Sequence, residues 1–405
     1  MTDLPTLHLA GLHQTTSLGL AVSGGGDSIA LMHLAVAAGL KPAIVTVDHG
    51  LRPESASEAA MVGQVAASLG LSHDTLRWQG WDRSGNLQDA ARKARRSLMA
   101  DWAKARGISS VVLAHTRDDV AETFLMRLAR GAGVDGLAAM SPLWAEGGIL
   151  WQRPMLNMAR QDLRDWLQAR ALTWVEDPSN DNPRFDRVKA RKALAVLAPL
   201  GVGPVQLSQV AAHLAEARQA LDVLADTWAD LTLTEEAGTL RIAPEFWRAP
   251  METRRRLIQR VLLWIAPAAY GPRGPQVSQL LSRLSQGHAA TLAGCRFLPE
   301  GTGLRALREA KAAQPRVRST VWDGRWTILG DLPDGAEIGP LGPAGLSQSP
   351  DWRATGLPRP ALLVSPALWL GDTLIAAPLV GVGATSYNAM TVLPWIGRKN
   401  AALSH

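Results

Sequence analysis

The sequence predicts an α/β fold with a parallel-sheet domain at residues 1–200, a mainly helical α+β domain at 205–316 and a small β-rich segment at 317–405. Three observations predict it. Short apolar runs alternate with helical patterns through the first 200 residues, and a glycine-rich turn follows the first run. A stretch bearing Pro and Gly at 198–204 then separates this alternation from a long helical pattern.

The first domain alternates strand and helix in the order expected of a parallel sheet. The predicted strands are 18–22, 43–47, 75–78 and 111–114, and the helical patterns are near 28–39, 54–70, 86–106 and 118–130. Such alternation predicts parallel strands covered by helices on both faces. Ligands of these sheets bind beyond the carboxyl ends of the strands, where the strand order reverses. Polar clusters follow the first, second and fourth predicted strands, so we expect one site at that edge.

The turn after the first predicted strand has the composition of a phosphate-binding loop. Glycines let the backbone turn tightly and bring its N–H groups close to an anion. The helix that follows adds unpaired N–H groups and the positive end of its dipole. The ending of the P-loop motif and the spaced glycines of dinucleotide-binding proteins are both absent. The turn consists of Ser23, Gly24, Gly25, Gly26, Asp27 and Ser28. It resembles the Ser-Gly-Gly-x-Asp-Ser loop of the PP-loop ATP pyrophosphatases, which have the adenine nucleotide α-hydrolase-like fold.

A second polar cluster follows the fourth predicted strand. If a helix begins near Thr116, then His115, Asp119 and Glu122 share one of its faces. Carboxylates stacked three residues apart repel one another unless a cation lies between them. Mg²⁺ carried by ATP or the ammonium group of an amine substrate would serve. The alternative is helix capping, which accounts well for Asp118 and less well for Asp119 with Glu122.

A series of motifs over residues 18–191 resembles the tRNA(Ile)-lysidine synthetase family. Besides the glycine turn, the motifs are Asp-His-Gly-Leu-Arg at 48–52, Asn-Leu-Gln-x-Ala-Ala-Arg at 86–92, His-x-x-Asp-Asp-x-Ala-Glu-Thr at 115–123, Leu-Met-Arg-Leu-x-Arg-Gly-x-Gly at 125–133, Arg-Pro-x-Leu at 153–156, Asp-Pro-Ser-Asn at 177–180 and Phe-x-Arg-x-x-x-Arg at 185–191. Two positions depart from the family pattern: Arg96 replaces an aromatic residue and Val188 replaces an asparagine. Residues 200–405 resemble the family more in layout than in motifs.

The resemblance implies an AMP-forming ligase that uses ATP and Mg²⁺. Members of the family adenylate the oxygen on carbon 2 of the wobble cytidine in an isoleucine tRNA with a CAU anticodon. The amine of free lysine then displaces AMP at that carbon, and the product is lysidine. A lysine amine has an unperturbed pKa of about 10.4, so it must lose a proton before it attacks.

The resemblance also implies a role for each matching residue. The phosphates of ATP would contact the turn at 23–28 together with Arg92 and His115, and Asp27 would help to bind Mg²⁺. The lysine amine would be bound and deprotonated by Asp119 and Glu122. A phosphate of ATP or of the anticodon loop would contact Arg187 and Arg191. For Lys93 and Arg95, the solvated face of a helix is the favoured interpretation.

The second predicted domain carries a surplus of positive charge. Helical patterns at 206–231, 251–266 and 275–286 are accompanied by short strand patterns at 239–242, 290–293 and 303–307. Between Met251 and Arg318 there are twelve Arg or Lys and three Glu, in a chain whose net charge is +6. Such a concentration is typical of a site for a nucleic-acid backbone, and a helical domain with a basic face is the alternative. The candidate tRNA contacts are Arg254, Arg255 and Arg256.

Composition limits the remaining function classes. The chain has one cysteine, Cys295, so it forms no internal disulfide and no cysteine-ligated cluster. No uninterrupted apolar stretch reaches about 18 residues, and the N-terminus lacks the pattern of a secretory signal, so we expect a cytoplasmic protein that does not bind a membrane. The oligomeric state stays open, and a homodimer is one alternative.

Two other functions compete with the ligase. A tRNA thiolase of the PP-loop class would usually need paired or cluster-binding cysteines, and Cys295 stands alone. An RNA-binding protein that has lost its chemistry would have no need for paired acids facing phosphate. The presence of Asp27, Asp119 and Glu122 therefore argues against that second alternative.

Overall fold

The structure is a computed structural model that describes residues 17–50, 54–78, 87–176, 185–268, 271–330, 332–383 and 388–391. The chain forms two compact units, Met1–Arg218 and Gln219–His405. The motif at 177–180, the end of the motif at 48–52 and the start of the motif at 86–92 lie outside the described residues. The division into three domains stays a prediction.

The first unit alternates strands and helices through most of its length. Its elements are β1 (Leu18–Ala21), α1 (Gly26–Ala37), β2 (Ala43–Asp48), α2 (Ser55–Ser68), β3 (His73–Arg77), α3 (Leu87–Ala105), β4 (Ser110–Leu113), α4 (Arg117–Leu128), α5 (Val134–Leu137), β5 (Leu143–Glu146), β6 (Ile149–Gln152), α6 (Arg160–Gln168) and α7 (Asp186–Leu197). The next helix, α8 (Pro204–Thr232), contains the boundary between the units.

The sheet of the first unit has the strand order β3-β2-β1-β4-β6-β5. All neighbouring strands pair in parallel except β5, which pairs antiparallel with β6. This arrangement confirms the predicted parallel sheet, and the four predicted strands lie within two residues of the observed ones. The hairpin of β5 and β6 was not predicted. Its turn uses Gly147 and Gly148, whose φ angles of 62° and 78° suit glycine best.

Apolar side chains alternate between the two faces of this sheet. Leu18, Leu20 and Val22 pack with residues of α1, α2 and α6 in one core. Val111 and Leu113 pack with residues of α3 in another. Because both faces are covered, the strands are apolar almost throughout, which is why short continuous runs predicted them.

The second unit contains the end of α8, two longer helices and antiparallel sheets. Its further elements are β7 (Leu233–Glu236), β8 (Thr239–Ile242), α9 (Met251–Ile265), α10 (Gly274–Ser285), β9 (Ala290–Leu292), β10 (Cys295–Glu300), β11 (Gly303–Arg308), β12 (Val321–Trp322), β13 (Trp326–Leu329), β14 (Glu337–Pro340), α11 (Gly342–Ser347), α12 (Arg359–Leu363), β15 (Pro366–Leu370), β16 (Thr373–Ala376) and β17 (Asn388–Thr391). The sheet orders are β7-β8-β11-β10-β9, β12-β13-β17 and β14-β15-β16. The strands after residue 317 confirm the predicted β-rich segment.

Among the described residues, no single helix is long and apolar enough to span a membrane. One pair of helices, Asp186–Leu200 with Pro204–Thr232, meets the length and composition criteria together, and it is bent by 100° at the break.

Candidate active site

The strand order reverses between β1 and β4, and the two polar loops that follow these strands meet there. β1 pairs in parallel with β2 on one side and with β4 on the other. The chain leaves β1 into the glycine turn and leaves β4 into the His115 segment, both at the carboxyl edge of the sheet. A crevice at this point is the usual ligand site of such sheets.

The glycine turn is shaped by its own hydrogen bonds. Gly24 has a φ of +91°, and its carbonyl accepts a hydrogen bond of 2.9 Å from the N–H of Val175. The Ser28 hydroxyl donates to the carbonyl of Gly25 at 2.9 Å and accepts from the N–H of Ser23 at 3.2 Å. Gly25 caps α1 without a side-chain hydrogen bond, which is typical of a helix start that binds an anion through its backbone N–H groups.

Three carboxylates meet on one arginine at this edge. The Arg160 guanidinium contacts Asp27 at 3.1 Å, Asp119 at 3.2 Å and Glu122 at 2.8 Å. Two arginines of α7 approach the same acids: Arg187 lies 3.3 Å from Asp119 and donates to it. Arg191 donates to Glu122 at 2.7 Å, and it has a further interaction besides this one. The structure thus brings Asp27, Asp119 and Glu122 together around the guanidinium of Arg160, where the expected cation was Mg²⁺ or a substrate ammonium.

Glu122 keeps one oxygen without a hydrogen-bond donor. Its Oε1 accepts from Arg160 and from Arg191, whereas Oε2 is buried and has no partner among the described residues. The side chain is only 1 % exposed. A buried acceptor left without a donor is unfavourable by about 1–3 kcal/mol, so such atoms often mark a place for a ligand or water.

The pKa values of the two aspartates in the cluster are shifted in opposite directions. Burial raises the pKa of Asp27 to about 6, although the charge of Arg160 opposes that rise. Burial would also raise the pKa of Asp119, but the charges of Arg160 and Arg187 outweigh it and hold that pKa below its usual value. Asp119 is therefore ionised at neutral pH, whereas the pKa of Asp27 lies about one unit below neutral pH.

Two of the acids also make hydrogen bonds at the start of a helix. Asp119 Oδ2 accepts hydrogen bonds from the N–H and the hydroxyl of Thr116, at 2.9 and 3.0 Å, and so caps α4. Asp118 instead accepts from the backbone N–H of Arg160 at 2.8 Å, at the start of α6. Capping was expected to account less well for Asp119 with Glu122 than for Asp118. The structure shows that one oxygen of Asp119 caps the helix, while the other faces the arginines and, among the described residues, Glu122 bonds only to arginines.

His115 is held as a neutral donor. The Arg153 guanidinium donates from Nε to His115 Nδ1 at 3.2 Å, so the ring proton is assigned to Nε2. Burial lowers the pKa of His115 to about 3, assisted by the charges of Arg153 and Arg187 against the opposing effect of Asp119. A neutral imidazole with its Nε2–H unused by Arg153 can donate a hydrogen bond to a phosphate oxygen.

A group of arginines lies close to His115. Burial lowers the pKa of Arg95 to about 10, and the charges of Arg92, Arg187 and Arg96 contribute. Burial lowers the pKa of Arg153 to about 10 as well, with contributions from Arg92 and Arg96. Neighbouring positive charges that lower one another's pKa repel, and an anionic ligand bound between them would relieve that repulsion.

Two residues of the site were not found from the sequence. Arg95 was interpreted as part of a solvated helix face, but it is half-buried, and the charges of Arg92, Arg187 and Arg96 act on it. Arg160 was not singled out, because one arginine at the start of a helix carries no distinguishing pattern. Arg96, a departure from the family, forms an ion pair of 2.7 Å with Glu146 on β5.

The candidate tRNA arginines of α9 have varied surroundings. Arg256 is completely buried and pairs with Asp222 at 2.9 Å and with Glu252 at 3.0 Å. Its prediction as a phosphate contact was wrong, because a guanidinium enclosed by its own carboxylates does not reach a backbone. Arg255 is half-buried and pairs with Glu252 at 2.6 Å, and the Arg254 guanidinium lies 5.7 Å from the ring of Trp247. Those two stay a prediction.

Comparisons with known proteins identify the class. A family model described as the PP-loop domain matches residues 6–197. Among solved structures, the U34-tRNA thiolase NcsA of Methanococcus maripaludis covers 52 % of this chain and 76 % of its own, with 16 % identity and a TM-score of 0.45. That likeness is too distant to bear on function. The first unit is a PP-loop domain, as the glycine turn predicted.

Curated relatives are more specific. The tRNA(Ile)-lysidine synthase of Ruegeria pomeroyi is 48 % identical over 372 residues, which cover 90 % of this chain and 89 % of that protein. The enzyme of the same name from Wolbachia pipientis is 35 % identical, covering 80 % of this chain and 79 % of that protein. The chain therefore belongs to the tRNA(Ile)-lysidine synthase family, which confirms the family and the ligase class that the motifs predicted.

Proposed function

We propose that this chain ligates lysine to carbon 2 of the wobble cytidine of an isoleucine tRNA with a CAU anticodon. ATP first adenylates the tRNA and releases pyrophosphate, and lysine then displaces AMP to form lysidine. Family membership supports this reaction. Within the structure, the observation that carries it is the buried, unpartnered Oε2 of Glu122 beside the glycine turn. That oxygen would accept a hydrogen bond from the substrate, and the ammonium group of lysine can donate one.

In the first step, the cytidine oxygen attacks the α-phosphorus of ATP and the bond to the β-phosphate breaks. The glycine turn and the start of α1 would bind the phosphates through backbone N–H groups. His115 Nε2–H and the nearby arginines Arg92 and Arg95 would stabilise negative charge on the phosphates and on the leaving pyrophosphate.

Mg²⁺ fits this site as a companion of ATP. Among the described residues no three His, Cys, Asp or Glu side chains are arranged to hold a metal by themselves. Mg²⁺ is commonly bound by one or two carboxylates together with substrate phosphates, so Asp27 next to the turn suffices. Bound there, the ion would neutralise phosphate charge.

In the second step, the lysine nitrogen forms a bond to carbon 2 while the bond from that carbon to the AMP oxygen breaks. The ammonium must first lose a proton, since only the free amine is a nucleophile. Glu122 Oε2 would accept a hydrogen bond from the ammonium, and Asp119 would hold the positive charge. The lowered pKa of Asp119 suits it to binding a cation more than to accepting a proton, so the ammonium proton would pass to Glu122 Oε2 as the amine attacks.

A thiolase is not supported by the one cysteine. Cys295 is fully buried in the second unit, and burial raises the pKa of its thiol to about 12. A thiolate is the reactive form in sulfur transfer, so this residue is inert. Because the proposed substrate is a tRNA, we expect the protein to act in the cytoplasm.

The first test is AMP release from α-labelled ATP by the purified protein with Mg²⁺. Lysine and the tRNA transcript are added separately and together, and a transcript with uridine at the wobble position is the matched control. We expect AMP only when both are present, with lysine retained on the cytidine-bearing transcript. AMP formation that is indifferent to lysine would contradict the amine assignment, and no AMP under any combination would overturn the proposal.

A further inference from the structure

The second unit contains an open groove between α10 and the strands β9 and β10. Its volume is about 740 Å³. Its polar and charged lining includes exposed side chains from all three elements and from the segment after β11, namely Gln276, Gln279, Arg283, Thr291, Arg296 and Lys311. The groove lies wholly within one unit and was not singled out from the sequence.

The charge of this groove is positive and little compensated. Arg283 and Arg296 are exposed, and neither side chain has an ion pair among the described residues. Lys311 pairs with Glu309 at 3.1 Å, but its side chain is 83 % exposed. Glu309 is the one acid of the lining, so the lining carries two more positive than negative groups.

Most other arginines of the same basic stretch are occupied by acids. Arg260 pairs with Asp226 at 2.6 Å, Arg305 with Glu236 at 2.7 Å and Arg308 with Asp323 at 2.8 Å. These acids lie outside the window 251–318 in which the positive surplus was counted. The surplus is therefore partly offset by folding, and Arg283 and Arg296 are among the charges that remain available.

The rest of the lining suits a phosphate backbone. Gln276, Gln279 and Arg283 recur at intervals of three and four residues, which places them along one face of α10. Side-chain amides and guanidinium groups in one open groove match the acceptors of successive phosphates.

We propose that this groove binds the phosphate backbone of the RNA substrate, with Arg283 and Arg296 as its principal contacts. The partner is identified as RNA because the proposed function, on which this inference rests, already requires an RNA ligand. In this proposal Arg283 and Arg296 contact the tRNA backbone, and the buried Arg256 of α9 does not. Because phosphate contacts carry no base information, the groove contributes affinity and orientation, and base recognition lies elsewhere.

The test compares two double variants that lose the same charge. R283Q/R296Q removes the groove arginines, and the control R248Q/R359Q removes two exposed arginines of the same unit outside the groove. Binding of the tRNA transcript is measured by filter retention over a range of salt. We expect the groove variant to raise the Kd about tenfold. The slope of log Kd against log salt concentration should fall by about two, because binding with two fewer phosphate contacts releases fewer counterions. The control should change neither quantity comparably.

A second variant guards against a loss of folding. Q279E places a carboxylate on the same face of α10 while keeping the length of the side chain, and it should also weaken RNA binding. Equal Kd and salt slope for the groove variant and its control would overturn the proposal. Lysine-dependent AMP formation at saturating tRNA is measured in parallel. The groove variants should keep the wild-type rate of AMP formation. If the groove assignment is wrong, tRNA binding is unchanged while AMP still forms, whereas if the proposed function is wrong, the wild type itself forms no lysine-dependent AMP.

Discussion

Two networks of arginines and carboxylates in this molecule differ in which partner is buried. At the crevice of the first unit the acids are buried, since Glu122 is 1 % and Asp119 7 % exposed, whereas Arg187 is 39 % exposed. Between α8 and α9 of the second unit the order is reversed. Arg256 and Arg260 are 0 % and 1 % exposed, and their partner Asp222 is 25 % exposed.

The difference indicates what each network does. In the first network Glu122 and Asp119 are more buried than Arg187 and Arg191, and one oxygen of Glu122 has no hydrogen-bond donor among the described residues. Buried arginines with several carboxylates each are enclosed by their own chain, which is a structural arrangement. The comparison predicts that charge changes in the first network affect chemistry most, and that changes in the second affect stability most.

The largest expected effect is on lysine transfer in D119N. Asparagine keeps an oxygen for the capping bonds from Thr116 and removes only the charge that holds the ammonium. We expect lysine incorporation to fall at least about 100-fold, the range typical of lost acid–base or charge assistance. Affinity for the tRNA should stay within about twofold, because Asp119 faces arginines and not the RNA backbone.

A matched control for D119N is E252Q, which removes an acid from the ion pairs of α9. It should leave lysine incorporation per folded molecule unchanged. If D119N instead abolished tRNA binding, or if E252Q reduced the rate as much as D119N, the distinction between the two networks would be lost.

The second prediction concerns stability. D222A removes a carboxylate that contacts both Arg256 and Arg260, two buried cations. Removing one member of a buried pair typically costs 3–5 kcal/mol, and we expect a loss of about 3 kcal/mol in the free energy of unfolding because each arginine keeps another partner. Urea unfolding followed by tryptophan fluorescence measures it.

The control for D222A is R241Q in the same unit. Arg241 is 59 % exposed and lies 3.6 Å from Glu300, so its loss should change the free energy of unfolding by less than about 1 kcal/mol. If D222A and R241Q changed the free energy of unfolding equally, burial of the paired arginines would contribute nothing to stability.

The smallest expected effect is a pH dependence of ATP binding. The pKa of Asp27 is about 6, so this carboxyl is mostly ionised at pH 7 and mostly protonated at pH 5. Mg²⁺ binds the ionised form, and the Mg²⁺-dependent affinity for ATP should therefore fall as the pH drops through about 6. His115, with a pKa of about 3, stays neutral over this range and adds nothing.

The same measurement on R160Q sharpens this assignment. The charge of Arg160 lowers the pKa of Asp27, so its removal should move the midpoint to higher pH. Affinity for an ATP analogue, measured between pH 5 and 8 with and without Mg²⁺, reports both midpoints. An unchanged midpoint in R160Q would contradict the proposed coupling between Arg160 and Asp27.

The sequence predicted those parts of the fold that depend on local patterns. The strands β1 to β4 are buried on both faces, so each is a continuous apolar run, and the glycine turn is visible as a contiguous motif. The convergence of Asp27 with Asp119 and Glu122 followed from the rule that parallel strands end at one edge. The hairpin of β5 and β6 was missed because Leu143 and Trp144 lack the clear alternation of a half-buried strand.

The remaining features depend on residues far apart in the chain. The positive surplus at 251–318 suggested an RNA surface on α9, but Asp222 and Asp226 from α8 neutralise Arg256 and Arg260 there. Arg160 reaches acids more than thirty residues away, and no local pattern reveals that contact. Counting charges along a window therefore could not show that Arg256 is enclosed by carboxylates, because ion pairing is set by tertiary structure.

The most direct test of the central claim measures pyrophosphate release and lysine incorporation side by side in the wild type and in E122Q. The amide of E122Q keeps the size of the side chain and removes the buried carboxylate that would receive the ammonium. We predict that E122Q still releases about one equivalent of pyrophosphate per tRNA-bound enzyme, because adenylation does not use Glu122, and that it incorporates no lysine. Lysine incorporation at the wild-type rate would contradict the assignment, and so would the loss of both signals in a folded variant.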